Sequence, residues 1–553
     1  MSCSHIAEDI TAFSINDVAG TITGISITVP LPAGTVVTSL APTISVSDGA
    51  TVSPSSGTPT DFTSPVIYTV TGSNKAKKQY VVMVTVATPS VTSLCDSTID
   101  PSSKGFQAGD GSKEKPFVIC NSQQLNLIGD TSSTTPNLFS KSYILGADID
   151  MSGVTFNPIG NTNNPMHQGF IGIFDGNNKK ISNLTFTYQG DSDAVGFICF
   201  INLGGLVKNL GLINVNITGT TTATGGLVGY ANRGTILNSY VTGNVSGSGD
   251  VGGLVGQQDA TTVSGCYTTG TVTGTEHVGG LVGVNYADGS ITNSYSASNV
   301  TGSADNVGGL AGLSYASITT SMATGNVNGA NYVGGLVGYN YELIHDCYAT
   351  GTVIGSVDDV GGLAGHSEGQ IEYSYATGTV TGTSGEDIGG LIGYNEGSAY
   401  HSYATGTVTG GDYAGGLVGY NNEDVRYSFA TGTVTGVNYV GGLLGYNDTE
   451  GSVGYSYSIG AVSGTTHFGG LLGADNGFAD NNYWNTETSG QSDPLTDPGA
   501  TGETTATMTD PLSSIYDDWN FIRDWSFNEE ECFSIPTPPF LPPYCCIRPF
   551  VDF

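Results

Sequence analysis

The sequence predicts an all-β protein: a right-handed parallel β-helix of about twelve coils, preceded by a small β-sandwich and closed by a Trp- and Pro-rich C-terminal cap. Three observations carry this reading. Gly-Gly-Leu begins at Gly225, Gly252, Gly279, Gly308, Gly334, Gly361, Gly389, Gly415, Gly441 and Gly469, at intervals of 26 to 29 residues. Each unit runs VGGLVGYN, then Ile-x-x-Ser-Tyr, then ATGTVTG: three β-type segments ended by Gly or Asn, without a helical apolar stripe. Before residue 90 the texture changes to alternating Val/Ile/Thr/Tyr runs such as TITGISITVPL and KQYVVMVTVA.

The repeat is incompatible with helices, because each Gly costs ~1 kcal/mol at a helical position. A lone unit also has no second layer on which to bury its apolar side. Coiling solves this: equivalent strands pair in parallel and their side chains stack in one interior. Leu227, Leu254, Leu281, Leu310, Leu336, Leu363, Leu391, Leu417, Leu443 and Leu471 then form one core column. Tyr240, Tyr267, Tyr295, Tyr348, Tyr375, Tyr403 and Tyr457, with Met322 and Phe429, are expected to form a second interior column. Two weaker copies start at Gly169 and Gly196.

In chain order, residues 1–4 are a tail and 5–90 the sandwich, whose strands are separated by Gly, Pro, Ser and Asp. Residues 91–165 hold the linker and the first coils, 166–480 the repeat solenoid, and 481–553 the cap and Pro-rich tail. A solenoid's last coil exposes its interior and unpaired strand edges. Trp484, Trp519 and Trp525 are placed to cover them, followed by SIPTPPFLPPY.

The segments GGLVGYN and SYATGTVTG, with the upstream KPFVICNSQQLNLIG, SYILGADIDMSG and GIFDGNNKKISNLTF, resemble the GLUG-repeat proteins, a family of bacterial and archaeal surface proteins that includes adhesins. The likeness runs from about Gly109 to about Trp525 and implies an extracellular solenoid, without a defined ligand or reaction. Residues 5–90 resemble the immunoglobulin-like modules of bacterial surface proteins, which imply a spacer.

Composition narrows the function. With 14 Lys+Arg against 48 Asp+Glu the formal charge is −34, and beyond Lys208 only Arg233, Arg426, Arg523 and Arg548 are basic. Nucleic-acid binding needs a basic stripe and is excluded. No run reaches the ~18 apolar residues of a transmembrane segment. The start MSCSHIAEDI lacks a signal-peptide pattern, so Cys3 is read either as a lipid-bearing first residue or as a thiol on a frayed end.

Of nine cysteines, Cys95 and Cys120 bracket the loop before the first coil and are a candidate disulfide; Cys532 with Cys545 or Cys546 is another. Cys199, Cys266 and Cys347 read as buried free thiols, and no zinc spacing exists among the nine. Gly365-His366-Ser367-Glu368-Gly369 fits the G-x-S-x-G pattern but aligns with a repeat turn, so no catalytic residue is assigned. Gly247-x-Gly249-x-x-Gly252 opens no helix and is not a cofactor loop. Asp148 and Asp150 face one side of a strand, which leaves structural Ca²⁺ open beside the reading as an ordinary strand; no other cofactor is expected.

The expected function is that of a non-enzymatic extracellular or cell-surface protein, an adhesin or a structural stalk or filament component. Its rod would bind a glycan or protein of a host or neighbouring cell. Three alternatives stay open. One is a self-associating filament or surface-layer subunit. Another is a polysaccharide-processing β-helix enzyme, which needs acids that break the repeat inside a groove; no such cluster stands out along the chain. The third is an ice-binding array built from Thr350/Thr352, Thr377/Thr379, Thr405/Thr407 and Thr431/Thr433, if both columns face outward.

Overall fold

The computed structural model describes residues 9–23, 26–32, 35–47, 49–63, 65–72, 77–86, 94–95, 105–129, 138–160, 169–188, 193–220, 222–491, 499–510, 513–516, 525–527 and 547–549. The chain divides into two units, one before and one from Cys95. The first contains two small sheets. Ile10–Ile15 pairs antiparallel with Val18–Ala19 and Thr43–Val46. The five-stranded sheet centres on Lys77–Val86, parallel to Ser26–Leu31 and antiparallel to Val66–Thr71. Strict alternation in Ser26–Leu31 turns Ile27, Val29 and Leu31 inward, where they meet Phe13, Tyr68 and Tyr80 in a core shared by the two sheets.

The second unit is a parallel β-solenoid of about 13 turns. It starts earlier than the repeat suggests. Phe117–Ile119 and Ser142–Leu145 already pair in the same 14-stranded sheet as the later coils. Between them, helix α1 (Ser122–Ile128) is capped by the Asn121 side chain and buries Leu125 and Ile128 in the core.

Each full coil contributes to four sheets, not the three segments read from the repeat. In one coil, Val360–Gly361 and Ala364–Ser367 enter the two 11-stranded sheets. Ile371–Glu372 enters the 14-stranded sheet, and Tyr375–Ala376 with Val380–Gly382 the 21-stranded sheet. The extra corner is the Gly-Gly pair. A Cβ on Gly361 would lie 1.8 Å from the carbonyl oxygen of Ala364, and one on Gly362 would lie 2.0 Å from that of Gly390. Only glycine lets the chain fold this tightly against itself and the next coil.

Register is kept from coil to coil: Val333, Val360 and Ile388 are partners, as are Ala349, Ala376 and Ala404. All ten leucines of the predicted column are fully buried in one continuous core. Ser precedes Tyr in most units for a separate reason. The hydroxyl of each buried Ser accepts from the backbone N–H of the previous coil, as Ser402 does from Ser374 at 3.2 Å. Cys266 and Cys347 occupy this slot and donate Sγ–H to backbone carbonyls. Burial pushes their thiols, and that of Cys199, up to about 12.

The tyrosine column departs from expectation. Its rings stack, with centroids 4.9 Å apart for Tyr348 and Tyr375 and 4.8 Å for Tyr375 and Tyr403, but on the outer surface rather than inside. Tyr240 to Tyr375 are half-buried; only Tyr403, Phe429 and Tyr457 are buried, in a separate cluster with Met508. The inward neighbour of each Tyr is the Ala, Ser, Thr or, after Tyr240, Val that follows it, because successive side chains on a strand alternate faces. At the last coil Trp484 occupies that inward position, paired with Ser458, and is 1% exposed. Trp519 and the structure of the SIPTPPFLPPY segment lie outside the described residues. No described helix is long and apolar enough to cross a membrane.

Candidate binding surfaces

On the 21-stranded sheet the ATGTVTG segment turns Ala, Gly and Val inward and the threonines outward. Thr350, Thr377, Thr379, Thr407 and Thr433 are exposed, and Thr352, Thr405 and Thr431 half-buried. Thr381, Thr409 and Thr435 add a third outward column. With the stacked Tyr348 and Tyr375 beside them, these residues form an uncharged hydroxyl-bearing face over consecutive coils. The aromatic rings are packed face to face along the axis, so they offer edges and hydroxyls rather than open ring faces.

A second surface lies at the corner between the two 11-stranded sheets. From His277 onward the residue that leads into the first of these sheets has positive φ in each coil, from 49° at His277 to 59° at Asn306 and Asp387. This left-handed turn places Tyr332, Tyr413 and Tyr439 edge-on against Tyr339, Tyr420 and Tyr446 of the adjacent sheet. Between Tyr332 and Tyr439 the first column is broken by Asp359 and Asp387, and between Tyr339 and Tyr446 the second is broken by His366.

These substitutions meet. His366, 8% exposed, is stacked between Tyr339 and Tyr394 at 4.2 and 4.9 Å. Its Nδ1 contacts Asp359 Oδ2 at 2.8 Å and its Nε2 faces Glu396 Oε2 at 3.3 Å. Tyr339 donates its hydroxyl to Glu368 Oε1 at 2.7 Å. Burial, reinforced by the charges of Asp359, Glu386 and Asp358, pushes the Asp387 carboxyl up to about 8. Asp387 is hydrogen-bonded to Asp359 while its Oδ1 has no partner. Burial likewise raises Asp359, with the His366 contact opposing it. Tyr394 is pushed up to about 12 by burial and by Glu396.

The expectation that no acid cluster breaks the repeat is therefore corrected. Asp359 and Glu368 lie in one coil and Asp387 and Glu396 in the next, and the two pairs converge because the coils stack. The signal was present down the columns: Asp where Tyr332 and Tyr413 stand, His where Tyr339 and Tyr394 stand.

The motif residues take ordinary positions. Ser367, fully buried, donates to the Gly369 carbonyl at 2.9 Å and accepts from Asn340 at 3.1 Å in an internal Asn/Ser ladder, so it offers no exposed nucleophile. Asp150 accepts from the Ser152 and Asn183 side chains, and Asp148 from the Lys180 N–H at 2.9 Å. Both carboxylates thus close turns between the early coils. Cys95 and Cys120 are joined by a disulfide, with Cα atoms 5.7 Å apart, while Cys199, Cys266 and Cys347 are free and buried. Cys3, Cys532, Cys545 and Cys546 lie outside the described residues.

Residues 10–84 match the family described as "SGBP, N-terminal". Seven segments, 220–246, 247–273, 274–301, 329–354, 359–381, 384–409 and 410–435, match "The GLUG motif". Over 152 residues the chain is 36% identical to Halomucin of Haloquadratum walsbyi; the match covers 26% of this chain and 2% of that protein. Among solved structures, a candidate glycoside hydrolase from Bacteroides thetaiotaomicron is 30% identical over 21% of this chain and 35% of its own, with a TM-score of 0.15. A candidate immunoglobulin A1 protease from Bacteroides ovatus is 18% identical over 77% and 93%, with a TM-score of 0.26. Neither superposition bears on fold or activity at these scores.

Proposed function

Taking a GLUG-repeat solenoid that follows an SGBP-type N-terminal domain as the premise, we propose that the chain is a non-enzymatic extracellular surface protein, an adhesin-like stalk whose rod binds glycan. The observation that carries the reading is the uncharged hydroxyl face: two outward threonine columns over four consecutive coils and a third over three of them, beside the stacked Tyr348 and Tyr375. Such a face meets a polyhydroxylated chain with many modest hydrogen bonds and no charge to desolvate. Repetition supplies affinity by multivalency along the axis. The SGBP and halomucin matches support a cell-surface or extracellular setting. The N-terminal sandwich is taken as an immunoglobulin-like spacer over residues 5–90.

The test is a glycan array and a cell-adhesion assay with the full chain. Retention of at least one class of polysaccharide is expected; a uniformly blank array with adhesion no higher than a control protein removes the proposal. The outward threonines also favour a second reading, ice binding, since both columns of each Thr-Gly-Thr face solvent. Thermal hysteresis of a concentrated solution decides it, and growth of ice unmodified by the protein excludes it.

A further inference from the structure

The acid–histidine corner does not serve the hydroxyl face and has its own chemistry. One nitrogen of His366, one carboxylate oxygen of Glu368 and one of Glu396 lie within 4.8 Å of one another. His366 is more than nine-tenths buried, and its Nδ1 is committed to Asp359, itself 7% exposed. The Nε2 of His366 faces Glu396 Oε2 at 3.3 Å. Either a proton on Nε2 or a cation can occupy that position, and only a cation engages Glu368 at the same time, since the three ligand atoms converge.

We infer that His366, Glu368 and Glu396 bind one divalent cation of the zinc or manganese class. The donor set decides the class: imidazole with carboxylates suits Zn²⁺ or Mn²⁺, whereas Ca²⁺ takes an all-oxygen shell. The surroundings have the arrangement that orients metal ligands. Asp359 fixes the tautomer of His366, and the Tyr339 hydroxyl holds Glu368. Glu368 and Glu396 are exposed, so the ion has an open approach and keeps positions for water or for an oxygen of a bound partner. The site is peculiar to this coil, because the sister coils place Tyr339 and Tyr394 at the histidine position. This inference does not depend on the glycan-binding proposal.

The experiment uses the full chain, stripped with chelator and held at about 0.15 M salt, where adsorption to scattered surface acids is screened. Zn²⁺ is titrated by calorimetry and Co²⁺ by its visible absorption. One saturable site per chain is expected, with Ca²⁺ failing to compete. His366→Tyr restores the residue of the neighbouring coils and so keeps the fold, verified by an unchanged melting curve; it should weaken binding at least 100-fold and abolish the Co²⁺ band. Glu396→Gln, at an exposed position, should do the same. Asp359→Asn, a positioning change, should weaken binding 10- to 100-fold. The inference is overturned if no saturable site appears, if His366→Tyr binds as tightly as the parent, or if Ca²⁺ displaces Zn²⁺ at equal concentration.

Discussion

Leu363→Ala, in the middle of the rod, tests the packing in detail. Leu363 is fully buried, and its backbone is fixed on both sides. The Leu336 N–H donates to the Leu363 carbonyl at 2.8 Å, and the Leu363 N–H donates to the Leu391 carbonyl at 2.8 Å. Measured Leu→Ala losses span ~2.7–5.0 kcal/mol and rise with the volume of cavity that fails to collapse. Two hydrogen-bonded ladders prevent collapse here, which places the loss in the upper half of that range, about 4 kcal/mol. Because each coil touches only its neighbours, the loss should be local. Native-state hydrogen exchange should show faster opening in the coils of Leu336, Leu363 and Leu391, with little change near Leu227 or in the N-terminal unit. A loss below about 1 kcal/mol, or acceleration spread evenly over the chain, would refute the stacked-coil energetics.

Gly361→Ala pushes a Cβ to within 1.8 Å of a backbone oxygen, whereas Gly105→Ala meets nothing within 4 Å. The first should destabilise by more than ~3 kcal/mol and the second by less than ~0.5 kcal/mol, read by chemical denaturation. Asp387 titrates near 8 in the folded chain and near 3.8 in the unfolded one, so the folded state holds the extra proton between those values. Stability contributed by this group is therefore complete below about pH 4 and lost as pH rises through 8. Asp387→Asn should flatten that slope in melting curves and exceed the parent in stability at pH 9. Reduction of Cys95–Cys120, separated by 25 residues, should cost at most ~3–4 kcal/mol, confined to the first coils as read by limited proteolysis.

Much of the fold was legible because repetition turns sequence positions into spatial columns. The column of ten leucines follows from one period and strand alternation, whereas the Gly-Gly corner and the outward facing of the Thr-Gly-Thr pairs were left open by the repeat and appear only in the folded coils. The tyrosines misled because an apolar-tolerant column with Met322 and Phe429 looks like a core. Alternation assigns the inner position to the small residue that follows each ring instead, such as Ala349 or Ala376. The beginning of the solenoid was blurred because Phe117–Ile119 and Ser142–Leu145 pair like repeat strands without carrying the motif. The acid–histidine cluster escaped for a different reason. Each of Asp359, Asp387 and Glu396 is unremarkable along the chain, and their convergence appears only when the coils are laid one upon another.

The most direct test of the central claim is affinity electrophoresis of the full chain in gels containing a polysaccharide selected by the array. The parent is compared with a variant carrying Thr377→Val, Thr379→Val, Thr405→Val and Thr407→Val. Valine keeps the β-branched shape, so the strands hold while the hydroxyls are lost. The account predicts retardation of the parent and at least a tenfold weaker interaction for the variant at an unchanged melting temperature. Equal retardation of the two proteins would contradict it.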